Sequence, residues 1–208
     1  MIYTPKHYTE NHPDLIQEIV HKFSFATLIS VTDEGPMISH LPVLMDSERK
    51  ILLSHCARVN PHWRHFKNNN PITVIFNGPH SYISPAWYEP HPDNVPTWNY
   101  VAVHVKGTVR IIEDTQEAWL LMNKLVQHYE NFYGTGWSLP TEPNETLKND
   151  LHRGITVFEI KIDQVDAKFK LSQNLDLNDR NSVIEKVPLF SGEQGQLVAE
   201  YMKKTAKK

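Results

Sequence analysis

FATLISVTDEGPMISHLPVLMDSERKILLSH, residues 25–55, is the stretch whose pattern decides the fold class. Phe25 to Val31 is apolar and β-branched, Thr32-Asp33-Glu34-Gly35 is a turn, and Pro36 to Met45 resumes as a strand, so the two predict a hairpin. Asp46 to Lys50 is a charged turn, and Ile51 to His55 is a third strand. Three strands in immediate succession on short turns predict an antiparallel meander.

On the N-terminal side, Pro13 to Phe23 sets Leu15, Ile16, Ile19, Val20 and Phe23 at helical spacing, with proline in the first turn. On the C-terminal side, Asn60-Pro61 opens a short helix from His62 to Lys67, which Asn68-Asn69-Asn70-Pro71 stops. Ile72 to Phe76 is a buried strand that Gly78-Pro79 is expected to break, with Ser81 to Ser84 a separate extended piece. A proline-rich loop, Pro85 to Pro96, leads to a strand from Asn99 to Ile112, where Val101, Val103, Val105 and Val109 alternate and Gly107 marks a bulge or corner. Asp114-Thr115 caps a helix whose apolar face is Trp119, Leu120, Met122, Leu125, Val126 and Tyr129. A short helix near Asn144 to Leu151 precedes two strands, Ile155 to Ile162 and Val165 to Leu171. The remainder reads as helix ending in Lys203, Lys204, Lys207 and Lys208. About seven strands with three or four marginal helices predict a mainly β (α+β) architecture, an antiparallel barrel with helices packed outside it. No internal repeat appears.

A chain of 208 residues suits one large domain or a domain with a small appendage. A net charge of −3 gives no broad basic field for DNA or acidic membranes. The lone cysteine, Cys56, favours a reducing compartment, and the N-terminus lacks the apolar run of a signal peptide, so a cytoplasmic location is expected. The twelve histidines are scattered. His62 and His65 share a helical spacing but have no third ligand nearby, so no metal site is expected.

Chemistry concentrates between Ser54 and Tyr100, which holds three of the five tryptophans and five of the histidines. At His55-Cys56-Ala57-Arg58-Val59-Asn60-Pro61, a strand end, the donor fork of Arg58 and a helix start together suit a phosphate or other anion. The plainer alternative is that Arg58 pairs with an acid and Asn60 only caps. His40, mid-strand, could face the same end. Pro96-Thr97-Trp98-Asn99-Tyr100 could hold a planar heteroaromatic ring, or could simply pack a core and turn. Lys170-Leu171-Ser172-Gln173-Asn174 is a third polar cluster, with Lys170 for an anion and Ser172 and Gln173 for ring carbonyls. His55 and Cys56, like Ser39 and His40, are strand neighbours that point to opposite faces, which argues against nucleophile–base pairs.

Taken in order, MISHLPVLM, SHCARVNPHW, IFNGPHSYISPAWY, VPTWNYVAVHVKGTV and KLSQN resemble the PaiB family, described as FMN-binding negative transcriptional regulators of the FMN-binding split-barrel class. The resemblance runs from about Tyr3 to about Asp179, and the domain is expected to span 1–188, with a C-terminal helix and basic tail over 189–208. It implies a split β-barrel homodimer with FMN at the subunit interface. Carried onto matching positions, His40, His55, Arg58 and Asn60 fall near the phosphate. Trp98, Asn99 and Tyr100 fall near the ring, with Lys170 and Gln173 supplied by either chain. The resemblance implies a repressor. Direct DNA binding has little support from charge or from any helix-turn-helix. The alternatives are an FMN-dependent oxidoreductase and a binding module without cofactor.

Overall fold

The computed structural model describes residues 2–66 and 71–205. Its elements are β1 (Thr9–Glu10), α1 (Pro13–Lys22), β2 (Phe25–Thr32), β3 (Gly35–Asp46), β4 (Ile51–Ala57), β5 (Ile72–Ile83), β6 (Thr97–Ile111), α2 (Thr115–Tyr133), α3 (Glu145–Gly154), β7 (Ile155–Lys170) and α4 (Leu177–Thr205). The strands hydrogen-bond in the order β1-β7-β4-β3-β2-β5-β6, and β6 also pairs with β7, so the strand order closes on itself. The expected architecture, a mainly antiparallel sheet of seven strands with peripheral helices, is the one observed.

The chain forms two compact units. One comprises residues 17–76 and 105–165; the other comprises 2–16, 77–104 and 166–205. In the first, the β2–β3 hairpin runs from Phe25↔Pro42 to its turn at Thr32↔Gly35, as the alternation predicts. Its inward side buries Ala26, Leu28, Ser30, Ser39, Leu41 and Val43. β4 pairs with β3 from Val43↔Ser54 and with β7 from Ala57↔Ile155. α2 starts where predicted: the Asp114 side chain accepts a hydrogen bond from the Glu117 amide at 2.7 Å. Its Ala118, Leu121 and Met122 pack with Ile51, Leu53 and Val157 in one apolar cluster. Trp119, Met122 and Leu125 are buried as expected, whereas Leu120, expected on that face, is exposed and Leu121 takes its place. Gly107 is neither bulge nor ornament: a Cβ there would lie 2.2 Å from the Lys161 carbonyl oxygen, so β6 can approach β7 only without a side chain.

In the second unit, α4 carries Val183, Val187, Val198, Tyr201 and Met202 into the interior. The helix kinks at Gly192, where φ is 52°. Phe169 of β7 meets Tyr201 edge-on with centroids 6.1 Å apart, and Trp87 stacks on Phe190 at 5.4 Å.

Three expectations need correction. Gly78-Pro79 does not end β5, which runs unbroken to Ile83. The inside–outside alternation slips by one at this dipeptide, both residues being buried, and a Cβ on Gly78 would lie 2.9 Å from that of Val101. The pair shifts the strand's phase and lets β6 close in. β7 is likewise one strand where two were expected. Asp163, between the two expected strands, accepts a hydrogen bond from Thr108 Oγ1 of β6 at 3.1 Å, and the polar residues stay in the ladder. The helix after Asn60 is a 3-10 turn, Pro61–Phe66. Its expected last residue, Lys67, and the tail lysines Lys207 and Lys208 lie outside the described residues.

Candidate functional site

The nine expected site residues divide between the units, four in the first and five in the second. In the first, β4 ends at Ala57 and the chain turns immediately. The Arg58 amide donates to the Gly154 carbonyl and the Asn60 amide to the Ala57 carbonyl, both at 2.9 Å. Arg58 Nη2 donates to the His152 carbonyl at 2.9 Å, in the last turn of α3, where exposed carbonyls and the negative end of the helix dipole attract a cation. That bond uses one of five guanidinium N–H groups. The Arg58 carbonyl accepts from Trp63 Nε1 at 2.9 Å, and the Arg58 guanidinium lies 5.2 Å from the Trp63 ring centroid. Arg64, which sequence reasoning passed over, holds its guanidinium 5.7 Å from the same ring. Two cations on one indole make this corner locally basic in an acidic protein.

Asn60 does more than cap. Its Oδ1 accepts from the His62 amide at 3.0 Å, the predicted capping bond, and its Nδ2 donates to Ser39 Oγ at 3.0 Å. His62 then closes the network: Nδ1 is 2.8 Å from Ser39 Oγ and Nε2 is 2.8 Å from Ser30 Oγ. All three of His62, Ser30 and Ser39 are buried. One ring nitrogen accepts and the other donates, which suits the neutral imidazole. Burial, and then the nearby charge of His65, push the His62 pKa down to about 4. With both nitrogens engaged, His62 is a pin that fixes the Arg58–Asn60 turn to the hairpin.

His55 is half buried, and its Nδ1 is enclosed with no hydrogen-bond partner among the described residues; burial pushes its pKa down. His40 is exposed on the face of β3 opposite to Ser39, so the structure does not bring it into the Asn60 network. Its Nδ1 contacts Thr27 Oγ1 at 3.1 Å. Cys56 is buried, as expected, and desolvation raises its thiol to about 11 against the opposing pull of Arg58, so it is no nucleophile at neutral pH.

In the second unit, Trp98 is exposed, with His80 and Tyr82 each 6.1 Å from it between centroids. Tyr100 lies under Lys168, whose ammonium sits 5.3 Å from its centroid and equally far from that of Tyr3. Lys170 donates to Thr97 Oγ1 and, at 2.6 Å, to the Trp98 carbonyl. Asn99 is buried, and its amide contacts Ser172 Oγ through Nδ2 at 2.9 Å and Oδ1 at 3.1 Å. Gln173 is spent locally: Oε1 accepts from the Leu171 amide and Nε2 donates to the Phe169 carbonyl. It shapes the turn after β7. Tyr8 and Tyr88, unremarked in the sequence, join Thr97, Asn99, Lys170 and Ser172 around a cleft of about 270 Å³.

The donor set tests the fit of a flavin phosphate. A phosphate needs convergent cations and N–H donors. The Arg58 corner offers two guanidinium groups beside one indole, and the charge and donor type of that set suit a phosphate.

Comparison with known proteins gives the family and the fold. The family described as "Putative FMN-binding domain" matches residues 2–164. "Protease synthase and sporulation protein PAI 2" of Bacillus subtilis (strain 168) is 32% identical over 212 residues, covering 100% of this chain and 99% of that protein. Among solved structures, the flavocytochrome Anf3 from Azotobacter vinelandii superposes with a TM-score of 0.63 at 9% identity, covering 86% of this chain and 78% of that one. The FAD and heme binding protein from Mycobacterium smegmatis gives 0.62 at 12% identity, covering 84% and 79%. The fold is thus similar to the flavin-binding split barrels.

Proposed function

Because this chain belongs to the PaiB family of FMN-binding-domain proteins, we propose that it is an FMN-dependent regulator that lowers transcription of its target genes. The cofactor is FMN. The observation that carries the reading is the Arg58 corner, two guanidinium groups over Trp63 on a turn fixed by His62. Arg58 and Arg64 bind the phosphate, Asn60 orients the turn, and His55 supplies an otherwise unmatched polar group nearby. For the ring, the family resemblance supports Trp98, Asn99 and Tyr100, with Lys170 and Gln173 supplied by either chain. Asn99 and Gln173 act by shaping their surroundings, since their amides are engaged by Ser172 and by the turn itself. When bound, FMN supplies one- and two-electron redox chemistry.

The homodimer has a candidate face. On the outward side of the β2–β3 hairpin, Phe25, Val31 and Ile38 are 72%, 73% and 55% exposed, an apolar sheet surface of the kind that a second copy covers. Light-scattering mass on Ile38→Asp is expected to fall from dimer to monomer. A wild-type monomer at micromolar concentration, or a variant that remains dimeric, rules this face out.

Regulation acts on DNA directly or through a metabolite. Gel shift with promoter DNA from the protein's own genome, run beside an NAD(P)H-consumption assay in the presence of FMN, separates the readings. A salt-sensitive, sequence-selective shift without turnover supports the regulator. Turnover without a shift replaces it with an FMN-dependent oxidoreductase, the reading that the tyrosine-walled cleft favours.

A further inference from the structure

The cleft of the second unit has the build of a small-ligand site. Its floor is polar and closed: Asn99 is 1% exposed and Ser172 is 3% exposed. Ser172 also sits at φ 61°, a left-handed conformation that costs a non-glycine residue energy and that clusters at ligand sites. Its hydroxyl is thereby aimed at Asn99, where it meets both ends of the amide. Lys170 has three N–H donors; Thr97 Oγ1 and the Trp98 carbonyl take two, so one remains for the cleft that Lys170 lines. Tyr8 and Tyr88 form walls, with the Tyr8 hydroxyl anchored on Asn174 Oδ1 at 2.9 Å. The other charged group on the lining is Asp93, at the rim and exposed to water, which screens it.

We propose that this cleft binds a small aromatic carboxylic acid, the carboxylate on Lys170 and the ring between Tyr8 and Tyr88. Size sets the scale: about 270 Å³ is just below the range of drug-sized sites, and it admits roughly one ring with its acid group. Charge sets the sign, because the cation left over in the cleft is Lys170. Burial and the neighbouring Lys168 both depress the Lys170 ammonium's pKa, a strain that a bound carboxylate relieves. The tyrosine walls add ring contacts that an aliphatic acid lacks. Binding of this acid to the protein does not depend on the FMN reading above.

The test is calorimetric titration of the full-length apoprotein with benzoate, and with benzamide as the neutral isostere. Wild type is expected to take up one benzoate per protomer and to ignore benzamide. Lys170→Met is expected to weaken benzoate by about tenfold or more, the value of losing a hydrogen bond to a charged group. Tyr88→Ala, at a half-buried wall of the cleft, weakens it too and carries the test if Lys170→Met fails to fold. Arg58→Ala keeps wild-type benzoate affinity while binding FMN more weakly, so failure of the flavin reading and failure of the cleft are read separately. Absence of benzoate uptake by wild type, equal uptake of benzamide, or unchanged affinity in the variants overturns the proposal.

Discussion

His62→Leu is expected to destabilise the protein by about 2–4 kcal/mol and to loosen FMN binding with it. Leucine fills much of the volume but leaves the hydroxyls of Ser30 and Ser39 short of a partner in the interior, at about 1–3 kcal/mol for each unsatisfied group. Ser39 is also where Asn60 is anchored, so the damage passes to the Arg58 turn. Urea unfolding measures the first effect; a loss below about 1 kcal/mol contradicts the pin. The pH dependence gives a second reading of the same group. The His62 pKa is about 4 in the folded protein, against about 6.5 for an unperturbed imidazole. Between these values the unfolded chain binds the extra proton. The stability held by the neutral ring is therefore complete above about pH 6.5 and is lost as pH falls towards 4, about 3 kcal/mol in all. In His62→Leu that part of the acid slope disappears, and an unchanged slope assigns it to other groups.

Arg58→Ala is expected to weaken FMN by about 10- to 150-fold, the equivalent of about 1.5–3 kcal/mol for hydrogen bonds to a charged group. The side chain has a second tie, to the His152 carbonyl at the end of α3, so part of any loss of affinity could come from a slackened turn. Riboflavin, which has the ring without the phosphate, separates the two. If Arg58 binds phosphate, the variant loses FMN affinity and leaves riboflavin affinity as it was. An equal loss for both ligands makes Arg58 a structural residue, and no loss removes it from the site. Arg64→Ala is the internal companion, expected to act in the same direction through the same anion and less strongly, because it is exposed to water.

How much of this was legible in the sequence depends on whether the information was local. The β2–β3 hairpin was legible because its alternation and its Asp33-Glu34-Gly35 turn lie within one short stretch. The caps at Asn60 and Asp114 were legible for the same reason. The lengths of β5 and β7 were not, because the features that keep Gly78-Pro79 and Asp163 in their strands are Val101 and Thr108, both distant in sequence. The Arg58 corner was half legible. Arg58 and Asn60 stand out at a strand end, and Trp63-Arg64, starting three residues further on, could have been read as a second cation beside an indole. For His62 the sequence offers a metal ligand, a surface group or a hydrogen-bonding group, without naming partners. Its real partners, Ser30 and Ser39, become neighbours only when β2 and β3 pair and the 3-10 turn folds over them. His40 shows parity at work: beside buried Ser39 on a strand, it had to face outwards.

The central claim is that this chain binds FMN through a phosphate held at the Arg58 corner. Titration of purified apoprotein with FMN, followed by flavin fluorescence and visible absorbance, tests it most directly. Saturable binding with a perturbed flavin spectrum, one FMN per protomer, and much weaker binding of riboflavin are expected. No spectral change at tens of micromolar FMN, or riboflavin bound as tightly as FMN, contradicts it.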